Sequence, residues 1–163
     1  MRRDLEGCER TLGRDHPDSL TSVNNLGMLL KAQGKLDLAE PFMRRSLEGL
    51  ERTLGRDHPS TLTSVNNLGM LLQSLGKLDL AEPFVRRSLE GCERTLGRDH
   101  MNTLTAVNNL GALLQSLGKL DLAEPYVRRA LEGYERTLGP DHPGTRQVAE
   151  NLRVLLKAME KKK

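Results

Sequence analysis

One side chain with hydrogen-bonding chemistry returns at a constant interval along the chain. Asparagine stands at Asn25, Asn67, Asn109 and Asn151, each 42 residues after the one before. A carboxamide carries two N–H donors and a carbonyl acceptor, so it can bond the backbone of an extended peptide. The spacing predicts that four similar structural elements present these amides in a row. They are therefore the leading candidates for ligand binding.

Two further residue types share a helical stripe with this asparagine ladder. A threonine lies four residues before each of the first three asparagines, and a methionine lies three residues after two of them: Thr21, Met28, Thr63, Met70 and Thr105. Residues three and four apart lie on one face of an α-helix. We therefore expect the threonines and methionines to flank the amides on one surface.

Other candidate chemistries find less support in the sequence. The four histidines, His16, His58, His100 and His142, are one repeat apart. Neighbouring helices lie about 8–10 Å apart, whereas zinc ligands must lie about 2 Å from the metal. No nucleophile–base set, phosphate loop or paired-carboxylate site stands out from the repeating background. We predict no metal, no cofactor and no enzymatic activity.

The whole chain is built on the 42-residue period. Full units are predicted over 16–57, 58–99 and 100–141, a half unit over 2–15 matches the second half of the repeat, and 142–163 begins a fourth copy. A period of this length indicates a solenoid, in which each unit packs on its neighbours. We expect a single solenoid domain over residues 1–163.

Each unit is predicted to contain two helices. In the first full unit they run over about Pro17–Gln33 and Leu36–Leu54, with Asp15 or His16 as the N-cap of the first. Gly34 and Gly55 follow the two helices, as glycine C-caps do. The expected buried stripes are Leu20, Val23, Leu26, Gly27 and Leu30 in the first helix, and Ala39, Phe42, Met43, Ser46, Leu47, Leu50 and Leu54 in the second. Gly27 lets the helices approach closely, whereas the sequence gives no reason for Gly49.

Composition narrows the function classes. No apolar run reaches the roughly 20 residues that a membrane helix needs. The net charge is only +3, and much of the excess lies in Lys161–Lys163, so a nucleic-acid-binding face is not expected. Cys8 and Cys92 lie two repeats apart, too far for a disulfide, and are predicted to be reduced thiols of a cytoplasmic protein.

The repeat resembles a known motif. Leu26-Gly27, Leu30, Gly34, Ala39 and Ser46 sit at the spacing of the tetratricopeptide signature L-G-x-x-Y…G…A…A. The usual tetratricopeptide unit has about 34 residues. The longer unit here, with NNLG, GKLDLAEP and TLGRDHP, is similar to the 42-residue repeats of kinesin light chains.

This resemblance implies a fold and a function. It implies an all-α, right-handed superhelix of about eight antiparallel helices, arranged as half, three full and half repeats, with the first helices lining a concave groove. Such grooves bind peptide segments of partner proteins, which in kinesin light chains include a tryptophan flanked by acidic residues. The ladder asparagines match a groove position, and Arg52, Arg94 and Arg136 fall near the groove edge.

The sequence also permits other roles for these residues and another function. The ladder asparagines could bond neighbouring helices instead of a ligand, and this structural role is favoured for the preceding Asn24, Asn66 and Asn108. The arginines could belong to a solvated face paired with Glu48 and its equivalents. The favoured function is a non-catalytic interaction scaffold that is monomeric. The alternative is a structural or engineered solenoid without a natural ligand, in which the unpaired end helices could associate head to tail.

Overall fold

The regular structure of the chain is helical throughout its described part. The computed structural model describes residue 7 and residues 9–161. The end of an early helix at residues 9–12 is followed by seven complete helices: α1 (Pro17–Ala32), α2 (Leu36–Leu54), α3 (Pro59–Ser74), α4 (Leu78–Leu96), α5 (Met101–Ser116), α6 (Leu120–Leu138) and α7 (Pro143–Glu160). The all-α prediction is confirmed. None of the helices in these residues is both long and apolar enough to cross a membrane.

The two cysteines differ in what can be said of them. Cys92, on α4, is 4% exposed, so its thiol is buried in the protein. Cys8 lies outside the described residues, as do residues 2–6 of the predicted first half unit and the last two lysines, Lys162 and Lys163. The prediction that both cysteines are reduced thiols therefore stays a prediction.

The chain divides between Gly91 and Cys92 into two compact units. The first unit contains α1, α2 and α3 and most of α4, and the second contains the end of α4 with α5, α6 and α7. In the first unit α2 packs on both α1 and α3, and in the second α6 packs on both α5 and α7. A repeat's second helix thus lies against its own first helix and the next one.

The helix ends follow from histidine and glycine at fixed repeat positions. Of the two predicted caps, His16 makes the bond: its Nδ1 accepts from the backbone N–H of Asp18 at 3.2 Å. Equivalent bonds of 3.0–3.1 Å begin α3, α5 and α7 at His58, His100 and His142. The histidines therefore have a structural role. Gly34 follows α1 with φ +74°, which explains why glycine stands there.

The core of the first unit consists of the predicted apolar stripes. Leu20, Val23, Ala39, Met43 and Leu50 are at most 1% exposed. Neither helix of a pair could bury its stripe alone, and each square ångström of apolar surface removed from water contributes about 25 cal/mol. Phe42 and Leu54, also predicted for the second helix's stripe, are only half-buried. The core therefore rests on aliphatic side chains of moderate size.

Two glycines set the distance between the helices of a repeat. A Cβ added at Gly27 of α1 would lie 2.7 Å from Met43 Cγ of α2. A Cβ at Gly49 of α2 would lie 2.5 Å from Leu20 Cδ2 of α1. Each helix therefore offers the other a position without a side chain. The structure thus supplies the reason for the glycine inside α2 that the sequence left unexplained.

Polar contacts reinforce the stacking inside and outside this core. Ser46 Oγ, fully buried on α2, donates to the Leu20 carbonyl oxygen at 2.7 Å. On the outside, the Glu40 carboxylate lies 2.8 Å from both Lys77 Nζ and an Arg44 guanidinium nitrogen. The hydrogen bond from Lys77, followed by that from Arg44, lowers the pKa of Glu40. These contacts join α2 to the residue that precedes α4.

The last helix of the second unit replaces this contact surface with charge. Arg146 of α7 stands at the repeat position of Leu20, and Arg153 stands at the position of Gly27. Their side chains are 69% and 60% exposed, and they pair with Asp141 at 3.0 Å and with Glu150 at 2.6 Å. The hydrogen bond from Arg153 lowers the pKa of Glu150. α7 thus has a polar face where α1 has an apolar one.

We expect Gly49→Ala to destabilise the protein in spite of alanine's better helix propensity. Alanine gains about 1 kcal/mol inside a helix, but overpacking against the buried Leu20 costs about 1–3 kcal/mol. In a Leu20→Ala background the clash is gone, so the same substitution should stabilise. Urea unfolding of the four variants of this double-mutant cycle measures both effects. Stabilisation by Gly49→Ala alone would show that the close approach does not require a glycine.

Candidate functional site

Four of the predicted site residues come together in the first unit. Thr21 and Asn25 of α1, with Thr63 and Asn67 of α3, line a cavity of about 200 Å³ between the two helices. Thr21, Asn25 and Thr63 are exposed and Asn67 is half-buried, so the cavity opens to solvent. The repeat explains this arrangement, because α1 and α3 are copies of one helix. Each helix presents its threonine and its asparagine one turn apart.

The other half of the lining was not predicted as a site. It consists of one residue from each of α1 and α2 and two from α3: Asn24, Leu50, Ser60 and Ser64. Ser60, Ser64 and Asn67 follow an i, i+4, i+7 pattern that could have added the serines to the stripe. Leu50 could not be found in this way, because it belongs to the apolar stripe of the second helix.

Two buried polar atoms that belong to lining residues lack hydrogen-bond partners within the described part of the chain. Asn24 is 6% exposed and Ser64 is 1% exposed. Neither Asn24 Oδ1 nor Ser64 Oγ has a partner among the described residues. An unsatisfied buried polar atom costs about 1–3 kcal/mol. Asn24 is buried, as its favoured structural role requires, but its carbonyl oxygen is left for another donor.

The lining of the cavity carries no formal charge. Its eight residues comprise three asparagines, two threonines, two serines and one leucine. Hydroxyl and amide groups can donate and accept hydrogen bonds with a neutral ligand group. An ionised ligand group would find no counter-charge here, and its desolvation would be costly. The cavity therefore suits an uncharged group that forms hydrogen bonds.

The two predicted methionines lie outside this cavity. Met28, on α1, is 37% exposed, and Met70, on α3, is half-buried. Each stands almost one turn beyond the asparagine of its own helix, towards the helix C-terminus. They continue the stripe as apolar surface, but the lining of the cavity does not include them.

In the second unit the predicted residues make bonds within the protein. Thr105 Oγ1 shares a hydrogen bond of 3.0 Å with the hydroxyl of Tyr134 on α6. Asn151 Nδ2 of α7 donates to Asn108 Oδ1 of α5 at 3.4 Å. Asn109 is half-buried and also has an interaction partner. Thr105 and Asn151 thus have hydrogen-bond partners within the protein, and their predicted binding role stays a prediction.

The three arginines are not part of the cavity. Arg52 pairs with Asp15 at 2.7 Å, and the two side chains are 64% and 69% exposed. Arg136 pairs in the same way with Asp99, and Arg94 is exposed with a partner of its own. The partner of Arg52 is therefore an aspartate before the preceding helix, and the sequence had suggested Glu48. Exposed pairs of this kind contribute about 0–1 kcal/mol.

Comparison with protein-family models connects this architecture to one family. The tetratricopeptide repeat model matches residues 3–52, 18–94, 63–135 and 104–163, and so extends over almost the whole chain. A search of curated proteins finds no significant match.

Several solved structures share the fold. BtubC (BKLC) from P. vanneervenii is 27% identical with a TM-score of 0.81 over 98% of this chain, which spans 63% of that protein. A kinesin light chain-like protein with nearly identical TPR-like repeats from Podosopora anserina is 22% identical, with a TM-score of 0.78 over 98% of this chain and 76% of its own. The N-terminal domain of stress-induced protein-1 from C. elegans is 18% identical, with a TM-score of 0.59 over 85% of this chain and 95% of its own.

The asparagine pairs of the two units should differ in coupling energy. Asn108 and Asn151 share a hydrogen bond, so alanine substitutions at these positions should couple by about 0.5–1.5 kcal/mol. Asn24 and Asn67 stand at the same repeat positions, but Asn24 Oδ1 lacks a partner, so their coupling should stay below about 0.5 kcal/mol. Two double-mutant cycles in urea test this. Equal coupling in both units would mean that Asn67 satisfies Asn24 in solution.

Proposed function

This chain belongs to the tetratricopeptide repeat family, and we propose that it is a non-catalytic scaffold that binds a peptide segment of a partner protein along its first helices. Tetratricopeptide repeats are generally protein-interaction scaffolds, and the family is generally non-catalytic. The structures similar to this chain include kinesin light chain-like repeat proteins. The proposal assigns the ladder asparagines to peptide contacts, with a cytoplasmic location.

The observation that carries this proposal is the cavity between α1 and α3. Two ladder asparagines, Asn25 and Asn67, meet there with Thr21 and Thr63 on two successive first helices, at a surface open to solvent. Asn25 and Asn67 can each offer an extended chain two donors and an acceptor, which matches the alternating N–H and C=O groups of a peptide. The neutral lining favours recognition by hydrogen bonds over recognition by charge.

Arg52 extends the proposed surface at its edge. Its side chain is 64% exposed and its ion pair with Asp15 is open to solvent. A pair of this kind is weak, so an acidic residue of a ligand could compete for the arginine. We therefore assign a secondary role in binding to Arg52, which favours ligands with acidic residues beside the bound segment. Arg94 and Arg136 stand at the equivalent repeat positions and receive the same assignment.

Asn67→Ala should weaken peptide binding about two- to twelvefold, since a lost hydrogen bond costs about 0.5–1.5 kcal/mol. A peptide array that includes acidic tryptophan-bearing sequences identifies the ligand, and calorimetry with the best peptide measures the change. Asn102→Ala, at an exposed asparagine of α5 outside the ladder, is the matched control. Absence of binding at high micromolar concentration would contradict the proposed function, as would equal affinities of the two variants.

A second candidate function follows from the uniformity of the repeats. The first two full repeats differ at only seven of their 42 positions. Such uniformity also suits a structural array without a ligand, in which the last helix of one molecule stacks on the first of another. The surface of α7 opposes this stacking, because Arg146 and Arg153 occupy the positions that Leu20 and Gly27 use for helix contact.

The protein should therefore remain monomeric as its concentration rises. Burying two arginines without new partners would cost several kcal/mol per charge. Light scattering over a micromolar to millimolar range measures the mass directly. Arg146→Leu with Arg153→Gly restores the repeat sequence at both positions and should promote association. Association of the unchanged protein would favour the structural candidate.

A further inference from the structure

The cavity of the first unit has a counterpart in the second that the chain itself fills. Tyr134 of α6 stands at the repeat position of Leu50, and its hydroxyl bonds Thr105, which stands at the position of Thr21. A Cβ built on Gly144, at the position of Ser60, would lie 3.3 Å from Tyr134 Cε1. The tyrosine ring therefore reaches between the residues equivalent to Thr21 and Ser60, both of which line the open cavity.

The first unit keeps the threonine beside this ring but lacks the ring itself, and it has Ser60 and Ser64 where the second unit has Gly144 and Val148. Leu50 is shorter than tyrosine and carries no hydroxyl, and about 200 Å³ remains beside it. An engineered apolar cavity of about 150 Å³ in another protein accepts benzene, so this space is sufficient for one six-membered ring. Thr21 keeps a hydroxyl at the place where Thr105 bonds the phenol.

The polar atoms of the cavity specify what the ring should carry. Thr21 is an exposed residue of the lining, and the equivalent Thr105 bonds the Tyr134 hydroxyl. A ligand that carries a hydroxyl group can therefore share the same hydrogen bond with Thr21. A carboxylate or phosphate would bring a charge into a site without counter-charge. A bare phenyl ring would fill the space but could not bond the Thr21 hydroxyl.

We propose that the cavity between α1 and α3 is a specificity pocket for a phenol ring, namely the unphosphorylated tyrosine side chain of a bound peptide. The ring lies beside Leu50, and its hydroxyl bonds Thr21. Leu50 is the specificity-determining residue, because tyrosine at the same repeat position closes the equivalent space in the second unit. This inference rests on the proposed peptide-binding function and names the side chain that this part of the surface takes.

The pocket can be tested without a peptide by using 4-fluorophenol and fluorobenzene, which differ only in the hydroxyl group. In a ligand-observed ¹⁹F NMR titration, the unchanged protein should bind 4-fluorophenol saturably at one site. Fluorobenzene should bind about three- to tenfold more weakly, since it lacks one hydrogen bond. Equal affinity of the two probes would overturn the hydroxyl specificity, and the absence of saturable binding would overturn the pocket.

Two reciprocal substitutions locate the site. Leu50→Tyr should reduce 4-fluorophenol binding at least tenfold by filling the cavity as Tyr134 does. Tyr134→Leu should open the equivalent space and raise the stoichiometry from one to two. If Leu50→Tyr does not fold, Ser64→Val replaces it, because valine stands at the equivalent Val148. If 4-fluorophenol still binds the variant whose cavity is filled, the probe binds elsewhere and the proposal is wrong.

A competition experiment separates this inference from the proposed function. A short capped peptide with a central tyrosine should displace 4-fluorophenol, whereas its phenylalanine and phosphotyrosine counterparts should displace it at least threefold less well. If the tyrosine peptide does not displace 4-fluorophenol, the ring that the pocket binds does not come from a peptide. Array peptides that bind in an Asn67-dependent manner but leave 4-fluorophenol bound would overturn the tyrosine pocket alone. Fluorophenol binding without any peptide binding would instead overturn the scaffold function.

Discussion

The close approach of the two helices in each repeat is the constraint from which the rest of the structure follows. Gly27 faces Met43 and Gly49 faces Leu20, with no room for a Cβ at either glycine. These two contacts fix the rotation of α1 about its own axis. Asn25 stands two residues before Gly27, which is about 200° around the helix. The packing that buries one face of α1 therefore turns the asparagine to the opposite face, where a ligand can reach it.

Equivalent repeat positions hold different side chains in the two units. Both units place a threonine and an asparagine pair at equivalent positions, yet the second unit satisfies them with Tyr134 and Asn151. In the first unit the equivalent atoms surround an unfilled space of about 200 Å³. Three lining residues of the first unit, Leu50, Ser60 and Ser64, are replaced in the second by Tyr134, Gly144 and Val148. Variation among nearly identical repeats thus changes the chemistry of a surface without changing the backbone that supports it.

The helices could be predicted from the sequence because their signals are local. Pro17, Gly34 and the 3.6-residue periodicity of the leucines predicted α1 to within one residue, and α2 was predicted at its observed ends. The role of Gly49 could not be predicted, because its partner Leu20 lies 29 residues earlier in the chain. Long-range contacts of this kind need the packed structure.

Only part of the candidate site could be predicted from the sequence. The ladder and its flanking threonines predicted Thr21, Asn25, Thr63 and Asn67, since in each helix the threonine and the asparagine share one stripe. They could not predict the unsatisfied state of Asn24, because Asn108 has the same neighbours in sequence and yet has a partner. Hydrogen-bond satisfaction depends on distances between helices, which periodicity does not encode. The binding role of the ladder itself remains a prediction that the peptide experiment decides.

The stacking surface and the proposed binding surface can vary separately, as the last helix demonstrates. α7 exchanges Leu20 and Gly27 for Arg146 and Arg153, which converts its contact face into a charged one, and yet keeps the ladder residue Asn151. A substitution on one face therefore need not disturb the other. Position 50 is different, because its side chain belongs to the core of α2 and also lines the cavity between α1 and α3. A change at this position alters stacking and recognition together, so repeats that diverge in ligand preference should differ there first.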